Sequence, residues 1–335
     1  MFLSLLDRWD ESRAVSGEMV KAIEEFALGS ELAFPQAGPG LSIDEFCGWA
    51  ESAKADPAYY DLPVGYAPQI EAKDGWLRFQ SAVQSGIPVN DRVTAKVTQN
   101  GPSQQALIVF HHWNASSYQS ALAGYFARLG LAVVEVSMPY HFERSRPGAA
   151  HADYMLSANL GRTLQSVRQA VVDGRTVVRW LSGCGFREIS VLGMSLGSWV
   201  AGLVAAHDPA VSRASLFLTA DSLADMVWTG RATRAIRKSL ESAIDLPVLR
   251  QAWGPADLGS YAQRLARPDL GLHMVLARRD TVVLPDLTRR FVERLRAVGA
   301  DPVIKELSCG HYSLALPPFG LMAGVSLKHF LNDRS

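Results

Sequence analysis

A serine stands between two glycines in the segment ISVLGMSLGSWVAG, which covers residues 189–202. Gly193, Ser195 and Gly197 match the pattern G-x-S-x-G, with a strand-like apolar run before them and a helical run after them. A sharp strand-to-helix turn brings neighbouring chain very close, so glycine is expected on both sides of the serine. Such a turn lifts the hydroxyl above a sheet edge, at a helix N-terminus that favours negative charge. The pattern predicts a nucleophilic serine. The alternative is a chance match, because glycine and serine are both common in ordinary turns.

A nucleophilic serine needs two partners, a base that takes its proton and a carboxylate that orients the base. His311 is the predicted base, because SCGHYS follows the strand-like PVIKEL and precedes the last helix. Asp280, in MVLARRDTVVLP, is the predicted acid, because it follows a strand between the serine and the histidine. Asp221, after ASLFLTA, is the alternative acid, and Asp280 is also compatible with a turn or helix-capping role.

The elements that must position these residues alternate between short apolar strands and amphipathic helices. This alternation predicts an α/β fold with a mostly parallel sheet covered on both faces. Before it, GWLRFQSAV and RVTAKVTQ have the period of β-strands and predict a hairpin. The predicted strands then cover 106–110, 131–138, 188–193, 214–220, 272–277 and 302–307, and the predicted helices cover 120–130, 154–183, 195–207, 284–299 and the tail from 314.

The chain divides into two predicted parts. Residues 1–70 have helical patterns and no motif with evident chemistry, which predicts a helical N-terminal extension. Residues 71–335 form the predicted α/β domain, with an insertion around 221–265 that predicts a small helical cap. Trp228 in this cap is a candidate for lining a substrate pocket, and ordinary helix packing is the alternative.

Residues from about 76 to 331 resemble the α/β-hydrolase superfamily, in particular its bacterial esterase and dienelactone-hydrolase-like members. GMSLG, the Asp280 turn and the His311 loop carry the resemblance. The chain order Ser195, Asp280, His311 is the order described for this superfamily. The resemblance implies an α/β-hydrolase fold with an eight-stranded, mostly parallel sheet, a catalytic triad at its C-terminal edge, and neither a cofactor nor a metal.

The resemblance also implies two backbone donors for the oxyanion that forms during acyl transfer. The first is the N–H of Leu196, the residue after the serine. The second is expected in HHWNASS, where this superfamily often has His-Gly-x-Gly. His111 matches the histidine, His112 replaces a glycine, and Trp113 occupies the donor position. An ordinary buried loop packed by the Trp113 indole is the alternative.

Candidate substrate-binding side chains flank the expected cleft. MPYHFERSRPG, residues 138–148, follows the next strand and should border the site. Its His141 and Arg144 are candidates for binding a polar or anionic substrate group. A structural loop with an ion pair to Glu143 is an equal alternative. His112, in the preceding loop, is a further candidate.

Composition excludes several classes of function. The 335 residues include 33 Lys+Arg and 33 Asp+Glu, so nothing favours a nucleic-acid or membrane partner. The three cysteines are scattered and predict neither a disulfide framework nor a zinc site. The first residues lack the pattern of a signal peptide, and no apolar run approaches the roughly 20 residues of a membrane span. A cytoplasmic location is expected, and a homodimer is left open.

These observations favour a serine hydrolase that cleaves a small-molecule carboxylic ester through an acyl-enzyme. A peptidase, thioesterase or lactonase would use the same three side chains. A second class is a lyase or biosynthetic tailoring enzyme on the same fold, with His311 as general base and no acyl-enzyme. A third is a non-catalytic binding module.

Overall fold

The computed structural model describes residues 2–19, 21, 24–38 and 40–333 of the chain. The outer limits of the two predicted parts, residues 1 and 335, lie outside the described residues. Within the described residues, nine strands form one sheet: β1 (Glu71–Lys73), β2 (Trp76–Gln80), β3 (Arg92–Thr98), β4 (Gln105–Phe110), β5 (Ala132–Val136), β6 (Glu188–Met194), β7 (Val211–Phe217), β8 (Gly271–Ala277) and β9 (Val303–Leu307).

The sheet has the order β1-β2-β3-β5-β4-β6-β7-β8-β9. The six strands from β5 to β9 along this order are parallel, and β1, β2 and β3 pair antiparallel at one edge. This confirms the predicted α/β class with a mostly parallel sheet, although the strand count is nine rather than eight. The additional strand, β1, is joined to β2 by a two-residue turn with positive φ at Asp74 (52°) and Gly75 (77°). Asp-Gly is a typical pair for such a turn.

The longest helix begins at Leu160 rather than near residue 154, because the Asn159 side chain accepts the Arg162 N–H and caps it.

Helices cover both faces of the sheet, as the buried parallel strands require. The helices are α1 (Phe2–Met19), α2 (Ser30–Ala33), α3 (Ile43–Ala55), α4 (Pro88–Asp91), α5 (Ser120–Arg128), α6 (Leu160–Gly183), α7 (Leu196–His207), α8 (Leu223–Thr229), α9 (Arg234–Leu240), α10 (Leu246–Ala252), α11 (Ala262–Leu265), α12 (Pro285–Ala297) and α13 (Phe319–Asn332).

Two apolar clusters form the core, one on each face of the sheet. Strand β4 contributes to both, because successive side chains point to opposite faces. Ile108 and Phe110 belong to the cluster that includes residues of α6, α7 and α12, whereas Leu107 and Val109 belong to the cluster that includes residues of α5 and α13. Packing on both faces holds the strands in place, so it also fixes where the loops begin at the carboxyl edge of the sheet.

Strand β4 is a topological switch point, because the next strand in the chain, β5, lies on one side of it and the following strand, β6, lies on the other. Open α/β sheets form a crevice at such a point, outside the carboxyl ends of the strands. The loop after β4 and the turn after β6 both end there. Helix α1 comes from the N-terminal segment and packs on two short 3-10 turns, Arg231–Thr233 and Ser313–Ala315.

Helices α1 to α3 lie in the first 70 residues, and α8 to α11 lie between β7 and β8. The division into an extension, a main domain and a cap stays a prediction. None of the helices in the described ranges combines the length and the apolar composition that crossing a membrane requires.

Candidate active site

Ser195 lies in a sharp turn between β6 and α7. Its backbone has φ 52° and ψ −125°, in a region that residues with a Cβ rarely adopt. The turn is held because the Ser195 N–H donates to the Phe217 carbonyl at 2.9 Å. The hydroxyl-bearing residue is half-buried, directly before the first residue of α7.

The two flanking glycines are required by close backbone contacts. A Cβ on Gly193 would lie 2.2 Å from the Gly197 carbonyl oxygen. A Cβ on Gly197 would lie 2.3 Å and 2.4 Å from the carbonyl oxygens of Phe110 and His111. The start of α7 is therefore pressed against the loop that follows β4, as the glycines of the sequence predict.

Three side chains from separate loops form a hydrogen-bonded chain. The Ser195 hydroxyl lies 3.0 Å from His311 Nε2, and His311 Nδ1 lies 2.8 Å from Asp280 Oδ2. The other oxygen of Asp280 accepts the N–H groups of Val282 and Val283 at 2.7 and 2.8 Å, which fixes the carboxylate. The His311 side chain is only 8% exposed. This geometry suits a hydroxyl, a base and an orienting acid.

The alternative acid, Asp221, lies in a different environment. Its carboxylate accepts from the Arg290 guanidinium at 2.9 to 3.3 Å and lies 3.6 Å from Arg294. The structure therefore brings Asp280, and not Asp221, to His311. Sequence position could not separate the two acids, because both follow strands of the same parallel sheet.

Two backbone N–H groups are candidate donors, one at the start of α7 and one in the loop after β4. Neither the Leu196 N–H nor the Trp113 N–H has an acceptor among the described residues. Leu196 is the first residue of α7, where helix N–H groups have no partner within the helix. The oxyanion role of both amides stays a prediction.

Two buried histidines, His111 and His141, support this loop through hydrogen bonds. His111 Nε2 accepts the Met138 N–H at 3.1 Å, and His141 Nε2 accepts the Asn114 N–H at 2.9 Å. The Nδ1 atom of each ring lies 2.8 to 2.9 Å from a carbonyl oxygen, which assigns the proton to Nδ1. Burial lowers the pKa of His141 to about 4 and that of His111 well below its usual value. Both rings are neutral structural supports.

No protein-family model matches the sequence, and no curated protein is detectably similar to it. Solved structures do match. Acetyl xylan esterase 1 from Thermoanaerobacterium sp. JW/SL YS485 superposes with a TM-score of 0.59 at 17% identity, over 86% of this chain and 93% of its own. The esterase Pf2001 from Pyrococcus furiosus has a TM-score of 0.54 at 14% identity, over 80% and 93%. The acylaminoacyl peptidase of Pyrococcus horikoshii has 0.57 at 12% identity, over 78% and 40%.

The chain has the α/β-hydrolase fold. At these identities the likeness is one of fold. In the α/β-hydrolase fold a G-x-S-x-G serine occupies a strained strand-to-helix turn, which is the conformation of Ser195 here.

Two of the predicted substrate-binding side chains do not face the cleft of this α/β-hydrolase fold. Arg144 is fully buried and pairs with Asp173 at 2.9 Å, and it also donates to the carbonyls of Asn90 and Ser137. His141 is buried, and its Nε2 accepts the Asn114 N–H. The prediction of direct substrate binding was wrong for both, because their polar atoms are engaged inside the protein. In the alternative of a structural loop with an ion pair to Glu143, Arg144 is not the partner, because it pairs with Asp173.

The other two candidates lie at the surface of the fold. His112 is exposed, and its Nδ1 lies 2.8 Å from the Trp113 carbonyl. Trp228, in α8, is half-buried with the Arg237 guanidinium 5.3 Å from its ring centre. Substrate binding by either residue stays a prediction.

A cavity of about 160 Å³ lies beside Trp113. Its walls come from the N-terminal segment, the loop after β4, the segment before α6 and helix α9. Burial, and then the Asp153 carboxylate, raise the pKa of Glu24 in its wall. The side chains that line it include Lys21, Glu24, Trp113, Asp153, Leu156 and Ile236. No cluster of three metal-ligating side chains occurs in the part of the chain that the structure describes.

Sequence reasoning missed one residue next to the candidate site. Asp10 of α1 is buried, and its carboxylate accepts backbone N–H groups directly after His311. Its only sequence signal is an acid in the amphipathic segment MFLSLLDRWDESR, which is also what an exposed helix face contains.

Proposed function

We propose that this chain is a serine hydrolase that cleaves carboxylic esters through an acyl-enzyme on Ser195. The observation that carries the proposal is the chain from the Ser195 hydroxyl to His311 (3.0 Å) and from His311 to Asp280 (2.8 Å). Burial of the acid and the base supports it, because charge interactions are stronger away from water. The esterases among the structures with the same fold favour an ester substrate.

In the proposed reaction, Ser195 Oγ attacks the ester carbonyl carbon while His311 Nε2 takes the hydroxyl proton. The Leu196 and Trp113 N–H groups donate to the oxyanion, and each such donor is worth roughly 3 to 4 kcal/mol. The C–O bond to the alcohol then breaks, and His311 returns the proton to the leaving oxygen. Asp280 stabilises the imidazolium throughout. Water repeats the sequence on the acyl-enzyme and releases the acid.

The cavity beside Trp113 is the proposed place for part of the ester. It adjoins the loop that carries the second donor, and its wall combines apolar side chains with the carboxylates of Glu24 and Asp153. The Lys21 ammonium lies in the same wall and Asp153 pairs with Arg146, so this lining favours a neutral group over a charged group of either sign. A panel of p-nitrophenyl esters with acyl groups of graded size and charge tests this preference directly.

Three variants test the proposed chemistry. Ser195→Ala removes the nucleophile, so turnover in the ester panel should fall by roughly 10⁴-fold or more. Asp280→Asn keeps the shape but loses the charge that holds the imidazolium, and roughly a 10³- to 10⁴-fold loss in kcat is expected. Asp221→Asn is the matched control, since it weakens the ion pairs with Arg290 and Arg294 and leaves His311 untouched.

A fluorophosphonate separates the alternatives, because it forms a stable adduct only with an activated serine. Mass spectrometry should locate the adduct on Ser195 in the wild type, with no adduct in Ser195→Ala. A lyase that uses His311 as general base without an acyl-enzyme would keep its activity in Ser195→Ala, and a non-catalytic binding protein would hydrolyse no ester in the panel. A wild-type chain without adduct and without turnover on any ester would refute the proposed function.

A further inference from the structure

The carboxylate of Asp10 is buried against the loop that carries His311. The residue is 4% exposed, although it belongs to an N-terminal helix far from that loop in sequence. Its Oδ1 accepts the N–H groups of Tyr312 at 2.7 Å and Ser313 at 3.0 Å, and its Oδ2 accepts the Ser313 hydroxyl at 2.5 Å. A buried carboxylate needs such donors, because its removal from water is strongly unfavourable without them.

The same network reaches the residue before His311. The Ser313 hydroxyl accepts the Gly310 N–H at 2.9 Å while it donates to Asp10. A Cβ on Gly310 would lie 2.5 Å from the Asp10 carboxylate, so the absence of a side chain at 310 permits this approach. Backbone N–H groups on both sides of His311 are therefore hydrogen-bonded to one carboxylate of α1. The contact is direct for residues 312 and 313 and passes through the Ser313 hydroxyl for Gly310.

Helix α1 also contacts the loop that carries the acid. Asp7, one turn before Asp10, forms an ion pair with Arg279, the residue that precedes Asp280. The Arg279 N–H donates to the Cys309 carbonyl at 3.0 Å, which joins the acid loop to the histidine loop. The exposed Asp7 pair contributes little energy by itself. The buried Asp10 contact is the stronger link, because hydrogen bonds to a carboxylate are stronger away from water than an exposed ion pair is.

We propose that Asp10 is a positioning residue, through which helix α1 holds the His311 loop at the distance that proton transfer from Ser195 requires. This inference rests on the proposed function and gives the N-terminal segment a role in the reaction. Asp10 touches neither the hydroxyl nor the imidazole in this network. Its effect passes through the backbone of residues 310–313, and a displacement near 1 Å at a reacting group costs about 100-fold in rate.

The test compares variants of Asp10 with a variant of its neighbour in the full-length chain. Asp10→Ala removes all three acceptor contacts, so kcat for a p-nitrophenyl ester should fall about 10- to 100-fold with little change in KM. Asp10→Asn keeps one acceptor oxygen for the backbone amides, so it should restore part of the lost kcat. Glu11→Ala is the control on the same turn, because Glu11 pairs with Arg231 at 2.6 Å and not with the histidine loop.

Hydrogen exchange gives a readout that does not depend on turnover. The amides of Tyr312 and Ser313 should exchange faster in Asp10→Ala, while those of β6 keep the wild-type rate. Wild-type kcat in Asp10→Ala would overturn the proposal, and so would an equal loss of kcat in Glu11→Ala. Unchanged exchange at 312 and 313 would overturn it as well. A wild-type chain with no fluorophosphonate adduct would instead refute the proposed function.

Discussion

Ser195 has a strained backbone, and its neighbours hold it in place. A non-glycine residue in such a region costs about 1 to 3 kcal/mol, so the surrounding bonds must offset the strain. The Ser195 N–H donates to Phe217, and its carbonyl accepts the Ser198 N–H at 2.7 Å and the Ser198 hydroxyl at 2.6 Å. The conformation directs the hydroxyl to His311, so the strain has a function in the proposed reaction.

The glycine at 197 should be required for activity. Gly197→Ala places a Cβ 2.3 Å from a backbone carbonyl that cannot move aside, so either α7 or the loop after β4 must shift. We expect at least a 100-fold loss in kcat/KM for p-nitrophenyl esters, with a lower Tm. The matched control is Gly202→Ala on the same helix, where the nearest atoms to the new Cβ belong to the Leu258 side chain rather than to the backbone. Equal losses in the two variants would contradict this explanation.

At the scale of elements, the connection from β5 to α6 is held by a buried ion pair. Arg144 in this connection pairs with Asp173 of α6, and both side chains are 0% exposed. Burial raises the pKa of Asp173, and the Arg144 charge opposes that rise. The Asp173 carboxylate also accepts from the Ser81 hydroxyl at 2.6 Å, which ties the start of the sheet to the same helix. The two buried charges depend on each other.

Removing one member of this pair should destabilise the whole fold. Arg144→Met leaves the Asp173 charge buried without its partner, and a loss of about 3 to 5 kcal/mol in the free energy of unfolding is expected. Urea denaturation measures it. Arg146→Met is the control, because its partner Asp153 is partly exposed and such pairs contribute up to about 1 kcal/mol. The double variant Arg144→Met/Asp173→Leu should recover part of the loss, and no recovery would argue against the charge explanation.

At the scale of the whole molecule, distant segments meet at one edge of the sheet. Ser195 and His311 are 116 residues apart in sequence, and Asp10 reaches Ser313 from 303 residues away. The helices on both faces protect the strands that hold this edge. One buried polar group between layers is His273 of β8, whose ring nitrogens lie 2.7 Å from the Ser215 hydroxyl and 2.9 Å from the Ser326 hydroxyl.

His273 should make the folded chain sensitive to acid. Burial lowers its pKa from 6.5 to about 4, so between these values the unfolded chain binds a proton that the folded chain does not. Stability from this residue is fully present above pH 6.5 and is lost as the pH falls, by up to about 3 kcal/mol. In His273→Gln the decrease in unfolding free energy between pH 6.5 and 4 should be smaller by this amount.

The wild type must be compared with His273→Gln because other groups titrate in the same pH range. Burial raises the pKa of Asp257 to about 8, which acts in the opposite direction. Unfolding free energies of wild type and His273→Gln, measured by urea denaturation at pH 4.0, 5.0, 6.5 and 7.5, isolate the histidine. Parallel curves for the two chains would contradict the assignment.

Local patterns were enough for the sequence to determine the fold class, the order of strands β2 to β9, the helices α5, α6, α7, α12 and α13, and the turn at Ser195. These features depend on hydrophobic period and on steric limits within a few residues, so they can be recognised without coordinates. The sequence also reduced the candidate acids to two. The ninth strand was missed, although the Asp74–Gly75 pair carries its signal.

Only the tertiary structure decided which polar groups meet. It brought Asp280 and not Asp221 to His311, buried Arg144 against Asp173 instead of exposing it to the cleft, and placed Asp10 beneath the histidine loop. Such pairings depend on the angles and distances between packed elements, and a charged side chain has the same local sequence signal on a solvated surface as in a buried pair. The hydrophobic pattern specifies which elements form, and their packing determines which charges they bring together.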